Sequence, residues 1–431
     1  MRSIHKAATV PAALALMLGM AACGTGDDEP SASPPDTMSQ TPEESAEPPS
    51  SEAPSAVQPT GTGDPFEDAR TAAAHMPGTA ATLAAGFVTA FDLPGDADSD
   101  AATLRANLTA LLQEHVYLAG IAVATAYAAG PDSPEFDAAA ATLDENSVDL
   151  SEAVGSLAGD ENAAAFLDLW RTHIGYFVDY AVAVAGQDEA GADKATAELT
   201  QYTKDAGAFF DKISDGHLPA ATMTDALSMH VETLSAAIDD LAAGSPDAYD
   251  TLQKAAAHVS TAAGVIADGL VAATGMSGDP DDEASTLRTN LTQLLQEHVY
   301  LASIAVFTAY TADGGPDSEA FKAAAATLDG NSVRLSEAVG SLAGDDNGAA
   351  FLDLWRTHIG YFVDYAVAIA GGDDAAAQQA LVDLDDYRGD AGDFFATISD
   401  GALPADAIAE GLAMHVQTLA GAIDSLDEAL N

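Results

Sequence analysis

The 431-residue chain is poor in basic residues, in aromatic residues and above all in cysteine. Its single Cys, Cys23, excludes disulfide bonds within the chain, thiolate zinc sites and Cys-ligated clusters. Only 14 Lys and Arg stand against 68 Asp and Glu, and the net charge of −54 would repel nucleic acids and anionic membrane surfaces. The P-loop, the dinucleotide-binding fingerprint and the Gly-x-Ser-x-Gly motif are absent as well.

What the chain does contain is small apolar residues. Apolar residues make up 48% of the sequence and Ala dominates them, whereas aromatic residues make up 6%. Ala is the strongest helix former, and no segment alternates apolar and polar residues over a useful length. The composition therefore predicts an all-α fold with closely packed helices.

The first 64 residues read as an export and anchoring segment. Residues 1–23 combine a basic start with a short apolar stretch, which is typical of a signal peptide and too short for a membrane span. They end Met-Ala-Ala-Cys, which resembles a lipobox, so we expect lipidation at Cys23; the alternative is an ordinary signal with a chance Cys. Residues 24–64 are rich in Pro, Ser, Thr and acidic residues and predict a disordered tether. The expected location is the extracytoplasmic face of the cell membrane.

From residue 65 onward the sequence repeats itself. FLDLWRTHIGYFVDYAVA stands at 166–183 and again, unchanged, at 351–368, and LLQEHVYLA stands at 111–119 and at 294–302. Each copy has the length of a domain rather than of a solenoid unit. We therefore expect two tandem six-helix, bundle-like domains from an internal duplication, at 65–244 and 245–431. The expected helices lie near 66–90, 99–128, 134–157, 161–184, 187–213 and 219–243 in the first repeat, and near 249–274, 282–312, 319–342, 346–369, 373–398 and 404–429 in the second. The sequence leaves open on which domain helix 249–274 docks.

Histidines recur within the apolar stripes of these helices. Most of them lie near the middle of a helix, so inward-facing imidazoles from neighbouring helices can meet at one level of a bundle. The first helix of each repeat carries one of them, His75 in the first repeat and His258 in the second, and this histidine is retained although the rest of the helix has diverged strongly. The candidate ligands are His75, His115, His173 and His230 in the first repeat, and His258, His298, His358 and His415 in the second.

These histidines admit several interpretations. The favoured one is a buried four-His site in each repeat that binds a transition metal, copper or zinc, because imidazole suits such ions. The alternatives are histidines that only pack in the core, and a haem with two His ligands, although no Cys-x-x-Cys-His motif is present. Ferritin-like di-iron chemistry needs Glu-x-x-His on two helices, and no such motif ends in these histidines.

The repeated segments also resemble those of known proteins. LLQEHVYLA and LWRTHIGYFVDYAVA are similar to segments in a family of secreted helical-repeat proteins and lipoproteins from Gram-positive bacteria. That resemblance covers nearly all of 66–431 and implies a helical, exported protein, but no particular activity. Members of the family are sometimes labelled copper amine oxidase-like. True copper amine oxidases are β-rich, and nothing in this sequence supports their chemistry.

The sequence thus predicts a lipid-anchored, extracytoplasmic metal-binding protein that serves metal storage, scavenging or sensing. The membrane is its expected partner, through the lipid on Cys23; nucleic acid is not expected as a partner, and no protein partner can be derived. A structural or interaction protein of the cell envelope, without catalysis, is the second hypothesis. An oxidoreductase at the same histidines is the weakest, because no substrate pocket can be inferred.

The acidic excess yields a first prediction. All but nine of the acidic and all but two of the basic residues lie in 65–431, and the acidic ones are spread along the chain. Their mutual repulsion opposes the compact state, and at about 1 M salt the Debye length falls to about 3 Å. The melting temperature should therefore rise between low salt and 1 M sodium chloride. An unchanged or lower melting temperature would contradict this account of the surface.

Overall fold

The computed structural model describes residues 57–312 and 314–430. The predicted signal peptide 1–23, the expected lipidation site at Cys23 and the predicted tether as far as residue 56 lie outside the described residues. Those that are described belong to one compact unit. They form α-helices and one 3-10 turn, and no strand occurs among them. The all-α prediction is confirmed.

The helices follow one another along the chain with short connections. They are α1 (Pro65–Ala74), α2 (Met76–Phe91), α3 (Asp100–Ala129), α4 (Pro134–Ala158), α5 (Asp160–Ala185), α6 (Glu189–Ile213), α7 (Ala220–Ala243), α8 (Ala248–Thr274), α9 (Glu283–Thr311), α10 (Glu319–Ala343), α11 (Asp345–Gly371), α12 (Asp374–Ile398) and α13 (Ala405–Leu430).

Local sequence signals explain where these helices begin. From α3 onward every predicted helix is present, with ends within two residues of the prediction. Ser99, Ser133 and Ser318 each cap a helix, because the side-chain oxygen accepts a hydrogen bond from the backbone N–H three residues later. Such caps satisfy donors that the first helical turn leaves without an intrahelical partner.

The first predicted helix, 66–90, differs from the prediction because it breaks in two at His75. Pro77 occupies the first turn of α2, and a proline has no N–H with which to continue the hydrogen bonds of α1. The equivalent position in the second repeat is Ser260, and the corresponding helix α8 runs without a break. One proline therefore gives the two repeats different first helices.

The helices form two bundles that do not coincide with the two sequence repeats. Helices α3 to α7 pack against one another in chain order, and α8 closes this first bundle by packing on α3 and α7. Helices α9 to α13 form the second bundle, which the N-terminal helices close: α1 packs on α13 and α9, and α2 packs on α9. The question of where helix 249–274 docks is thereby answered, because it joins the first repeat.

Loop lengths explain this exchange of first helices. A turn of four residues, with Gly244 in the left-handed region at φ 60°, separates α7 from α8 and folds α8 back along α7. The longer connection from α8 to α9 crosses to the second bundle, and the carbonyl of Ser277 accepts a hydrogen bond from the N–H of Ala101 on the way. The second bundle then has an open groove, which only the N-terminal helices remain to fill.

Helices α3 and α9 pack against each other at the centre of the molecule. Tyr117 and Tyr300 are fully buried and stack there, with ring centroids 5.2 Å apart. The side-chain amide of Gln113 donates to the carbonyl of Gln293 over 3.0 Å. The two bundles therefore share one continuous core.

A buried carboxylate on each central helix ties this interface to its surroundings. Glu114 accepts hydrogen bonds from Arg70 (2.9 Å), Asn146 (3.0 Å) and Tyr300 (3.1 Å). A buried carboxylate is tolerated when it is paired and hydrogen-bonded, and these three partners meet that need. Because Arg70 belongs to α1 and Tyr300 to α9, Glu114 joins the first bundle to two elements of the second.

In the second repeat the buried carboxylate of Glu297 is paired with different residues. Glu297 accepts hydrogen bonds from Gln253 and Asn331 and forms an ion pair with Arg334. Gln253 stands where the first repeat has Arg70, and Arg334 stands where it has Asp149. The cation has thus moved to α10, and the buried carboxylate still has a positive partner.

The end of the tether departs from the prediction of disorder through residue 64. Val57 is buried, and the N–H of Thr60 donates to the carbonyl of Gln417 on α13 over 2.9 Å. Gly421 permits this approach, because a Cβ there would lie 1.9 Å from the carbonyl oxygen of Thr60. Residues 57–64 are therefore an ordered strap along α13.

Two helices, α3 and α8, are long and apolar enough to span a membrane by length and composition alone. Most of the apolar stretch of α3, and more than half of that of α8, is buried inside the protein. Core helices of water-soluble proteins have the same properties, so the burial of these two helices inside the protein explains their high hydropathy.

The helix exchange leads to a prediction about fragments. Residues 96–277 contain the whole first bundle, whereas 65–244 contain a sequence repeat that lacks α8. We expect fragment 96–277 to unfold in one cooperative thermal transition, because α3 and α7 keep the helix that covers them. Fragment 65–244 should unfold at a lower temperature and bind a hydrophobic dye. Equal or greater stability of 65–244 would contradict the exchange.

Candidate metal centre

Three histidines converge inside each bundle, one from each of three helices. Within each group the possible ligand atoms all lie within 4.8 Å of one another. Centre 1 consists of His115 on α3, His173 on α5 and His230 on α7, and centre 2 consists of His298 on α9, His358 on α11 and His415 on α13.

The spacing within each centre suits a small metal ion. The Nε2 atoms of His115 and His173 are 3.3 Å apart, and those of His298 and His358 are also 3.3 Å apart. Two nitrogens bound to tetrahedral zinc at about 2.0–2.1 Å would be about 3.3–3.4 Å apart. The third imidazole in each centre places a possible ligand nitrogen within 4.8 Å of the other two.

All six imidazoles are buried and uncharged. Each has 4% or less of its surface exposed. Burial lowers the pKa of His115 and His298 to about 3 and that of His230 to about 4, because the charged form loses its hydration. The pKa values of His173, His358 and His415 are also well below the usual range, mainly from burial and further from the neighbouring imidazoles.

A neutral imidazole has one nitrogen with a free lone pair, and a metal ligand needs that form. Among the described residues, neither ring nitrogen of His230 or of His415 has a hydrogen-bond partner. A buried polar atom left without a partner costs about 1–3 kcal/mol. An ion held between the three rings would satisfy the nitrogens that face it.

Aromatic rings surround each centre. In centre 1 Tyr202 stacks on His173, with ring centroids 4.6 Å apart, and Trp170 lies against both His115 and His173, at 4.8 and 4.5 Å. Phe177 closes the side next to His230 at 5.7 Å. The equivalent rings of centre 2 are Trp355, Phe362 and Tyr387. These rings pack against the imidazoles and hold their orientation.

The sequence did not single out Tyr202 and Tyr387, although a signal was present. Both are identical between the repeats and lie on the buried stripe of their helix. Tyr180 and Tyr365 are also identical between the repeats and follow His173 and His358 by seven residues, but they donate hydrogen bonds to Asp239 and Asp424. Retention between repeats therefore indicates a shared role, but not whether that role is at the centre.

The expected four-His set of each repeat needs a correction, because the fourth His comes from the other repeat. His75 lies near His415 of centre 2, with ring centroids 6.0 Å apart, and not near the other histidines of its own repeat. His258 lies near His230 of centre 1, where its Nε2 donates to the carbonyl of Ala226 over 3.1 Å. The exchanged first helices carry them there.

His75 and His258 are also less buried than the histidines of the two centres, and they lie outside both compact triads. The structure therefore supports three ligands in each centre with a fourth imidazole beside them. A fourth ligand from either His would require that side chain to move towards the centre.

The arginines and aspartates retained between repeats do not take part in the centres. Arg171 binds Asp144 through two hydrogen bonds of 2.6 and 2.7 Å on the surface, and Arg356 binds Asp329 in the same way. These ion pairs join α5 to α4 and α11 to α10. They hold in register the helices that carry His173 and His358.

The buried histidines predict how stability depends on pH. In the unfolded chain their pKa is about 6.5, so as the pH falls below that value the unfolded state takes up protons that the folded state excludes. For His115, with a folded pKa of about 3, this costs about 2 kcal/mol of unfolding free energy between pH 7 and pH 5. The metal-free protein should therefore lose stability in that range.

Chemical denaturation of two variants at pH 7 and pH 5 checks this prediction. His115→Leu should lose about 2 kcal/mol less than the wild type between the two pH values. His217→Leu is the control, because His217 is exposed and lies outside both centres. An identical pH dependence in all three proteins would show that the buried imidazoles do not control acid stability.

Comparisons with known proteins identify no relative. No protein-family model matches the chain, and no curated protein or solved structure gives a significant match. The resemblance to secreted helical-repeat proteins of Gram-positive bacteria therefore stays a prediction. The two His triads are the features of the structure that indicate a function.

Proposed function

We propose that each His triad binds one transition-metal ion, copper or zinc, and that the protein holds two such ions at the extracytoplasmic face of the membrane. The observation that carries the proposal is the convergence of three buried, neutral imidazoles from three helices, repeated in both bundles. Imidazole nitrogen is a good ligand for copper and zinc, whereas magnesium and calcium prefer oxygen. Storage, scavenging or sensing of the metal would each use such a centre.

The placement at the membrane rests on the N-terminal sequence. A lipid on Cys23 would anchor the chain, and the segment 24–56, which is rich in Pro, Ser and acidic residues, would separate the bundles from the bilayer. In this position the protein meets metal ions that come from outside the cell. The acidic surface would also attract cations towards the bundles, since the charge of the chain is strongly negative.

A haem is a poorer candidate for these centres. Two imidazoles that ligate haem iron stand on opposite faces of a flat porphyrin. In each centre three possible ligand atoms lie within 4.8 Å of one another, and aromatic rings fill the surroundings. That spacing favours a bare ion held by imidazoles.

Two observations favour a second function, that of a structural protein whose histidines only pack. A distance of 3.3 Å between two Nε2 atoms also fits a single N–H···N hydrogen bond between neutral imidazoles. In addition, Nδ1 of His115 and of His298 has no acceptor among the described residues, whereas a metal-bound imidazole usually donates from its second nitrogen. Metal binding by the purified protein separates the two functions.

Metal stoichiometry tests the proposal. The protein is stripped with a chelator, dialysed against zinc or copper(I), and analysed for bound metal. We expect two ions per chain for the wild type, one each for His173→Leu and His358→Leu, and none for the double variant. His217→Leu is the matched control and should keep two, since it removes an exposed imidazole.

Calorimetry provides a second measurement on the same proteins. At a free metal concentration one hundred times the dissociation constant, binding to the folded state adds about 2.7 kcal/mol per site to the unfolding free energy. The double variant should show no such gain. If the histidines only pack, the wild type will bind no metal and the Leu variants will be as stable as the wild type or more so, because they remove buried polar atoms.

A further inference from the structure

The two centres differ in the size of the cavity beside them. Beside centre 2 lies a cavity of about 490 Å³, to which His298 and His415 contribute. The corresponding cavity beside centre 1, to which His115 and His230 contribute, is only about 60 Å³. The inner aromatic shells of the two centres are nearly identical, so the difference must come from the helix that covers each one.

The covering helix of centre 2 is the broken one. After the break at His75, α1 continues along α13 while α2 turns away and packs on α9. The cavity lies between α2 and the first half of α13, and its lining includes Thr79 and Thr82 from α2 and Glu410 from α13. In the first bundle the unbroken α8 packs on both α3 and α7 and covers the same place.

The side chains of the covering helices do not explain this difference, because Thr79 and Leu83 of α2 stand where α8 has Ala262 and Ile266, and these pairs are similar in size or larger in α2. In the first bundle His258 is held by its hydrogen bond to the carbonyl of Ala226. The path of the covering helix therefore leaves more space beside centre 2 than beside centre 1.

A metal ion held by three protein ligands retains a position for another ligand, and catalytic zinc sites have this arrangement. We propose that centre 2 binds a small organic molecule as the fourth metal ligand within the 490 Å³ cavity, and that centre 1 binds none. This inference rests on the proposed metal function. It assigns the two centres different roles, one closed and one able to receive a ligand.

The lining determines which class of molecule fits. Most of it is apolar, including Leu83, Phe87, Leu291 and Phe395, with the imidazole of His75, a few hydroxyl groups and the exposed carboxylate of Glu410. This carboxylate and the overall negative charge repel anions. The expected ligand is therefore uncharged, with an apolar body and one nitrogen, oxygen or sulfur donor that reaches the metal.

Cobalt(II) and pyridine provide the test. Cobalt(II) reports its coordination through visible absorption, and pyridine is a neutral apolar ring with one nitrogen donor. His173→Leu leaves only centre 2 loaded, and His358→Leu leaves only centre 1. We expect pyridine to change the cobalt spectrum of His173→Leu in a saturable way and to leave the spectrum of His358→Leu unchanged.

Two further variants, each made in the His173→Leu protein, test whether the cavity is the route. A Cβ on Gly78 would meet no atom within 4 Å, so Gly78→Phe can place its ring in the cavity without displacing backbone. We expect it to weaken pyridine binding at least tenfold while cobalt stays bound. Gly389→Phe is the matched control: Gly389 is an exposed helical glycine with equal free space, outside the cavity, and its variant should bind pyridine as before.

Each outcome decides one of the two proposals. If cobalt binds to both centres and pyridine affects both, neither, or only centre 1, the inference about centre 2 is wrong and the metal function stands. If Gly78→Phe binds pyridine as tightly as the control, the cavity is not the binding site, which also overturns the inference. If the wild-type protein binds no cobalt, zinc or copper, the proposed metal function itself fails.

Discussion

The packing of α3 against α9 is the contact on which the rest of the structure depends. Each of these helices is buried on several sides, and two of its faces contact different parts of the molecule. One side of α3 presents His115 to centre 1, and another presents Glu114 and Tyr117 to the second bundle. Because neighbouring residues on a helix point about 100° apart, Glu114 and His115 serve different neighbours. The interface and the centres are thus positioned by the same two helices.

The exchange of first helices strengthens this arrangement. The second bundle is closed by the N-terminus of the chain, and Arg70 of α1 reaches the buried Glu114 of the first bundle. A bundle that lost its covering helix would expose the apolar faces of two others. Each half of the chain therefore depends on the other for a complete core and for the histidine next to its centre.

Much of the fold followed from the sequence because helix signals are local. Glycine and proline turns and the three-to-four spacing of apolar residues predicted the helices from α3 onward within two residues. The six core histidines were identified by the same spacing and by retention between repeats. The break at His75 was missed although its signal was present, because Pro77 lies in the interior of the predicted helix 66–90, where a proline removes a backbone hydrogen bond.

Which helices pack against each other could not be predicted from these local sequence signals. Both repeats have the same pattern, so His75 and His258 could equally have joined their own repeat, and only the three-dimensional path of the loops distinguishes the two possibilities. The contacts of Tyr202 and Tyr387 with the imidazoles and the cavity beside centre 2 depend on helix rotation and divergence, which residue spacing does not encode. These features came from the structure alone.

We propose that the two triads of buried, neutral imidazoles each bind a metal ion. Anomalous X-ray diffraction from crystals of the protein grown with zinc, recorded on both sides of the zinc absorption edge, tests it most directly. The account predicts one strong anomalous peak inside each triad, about 2 Å from the Nε2 atoms of its histidines. Peaks only at surface carboxylates, with both triads empty, would contradict it and leave the histidines as packing residues.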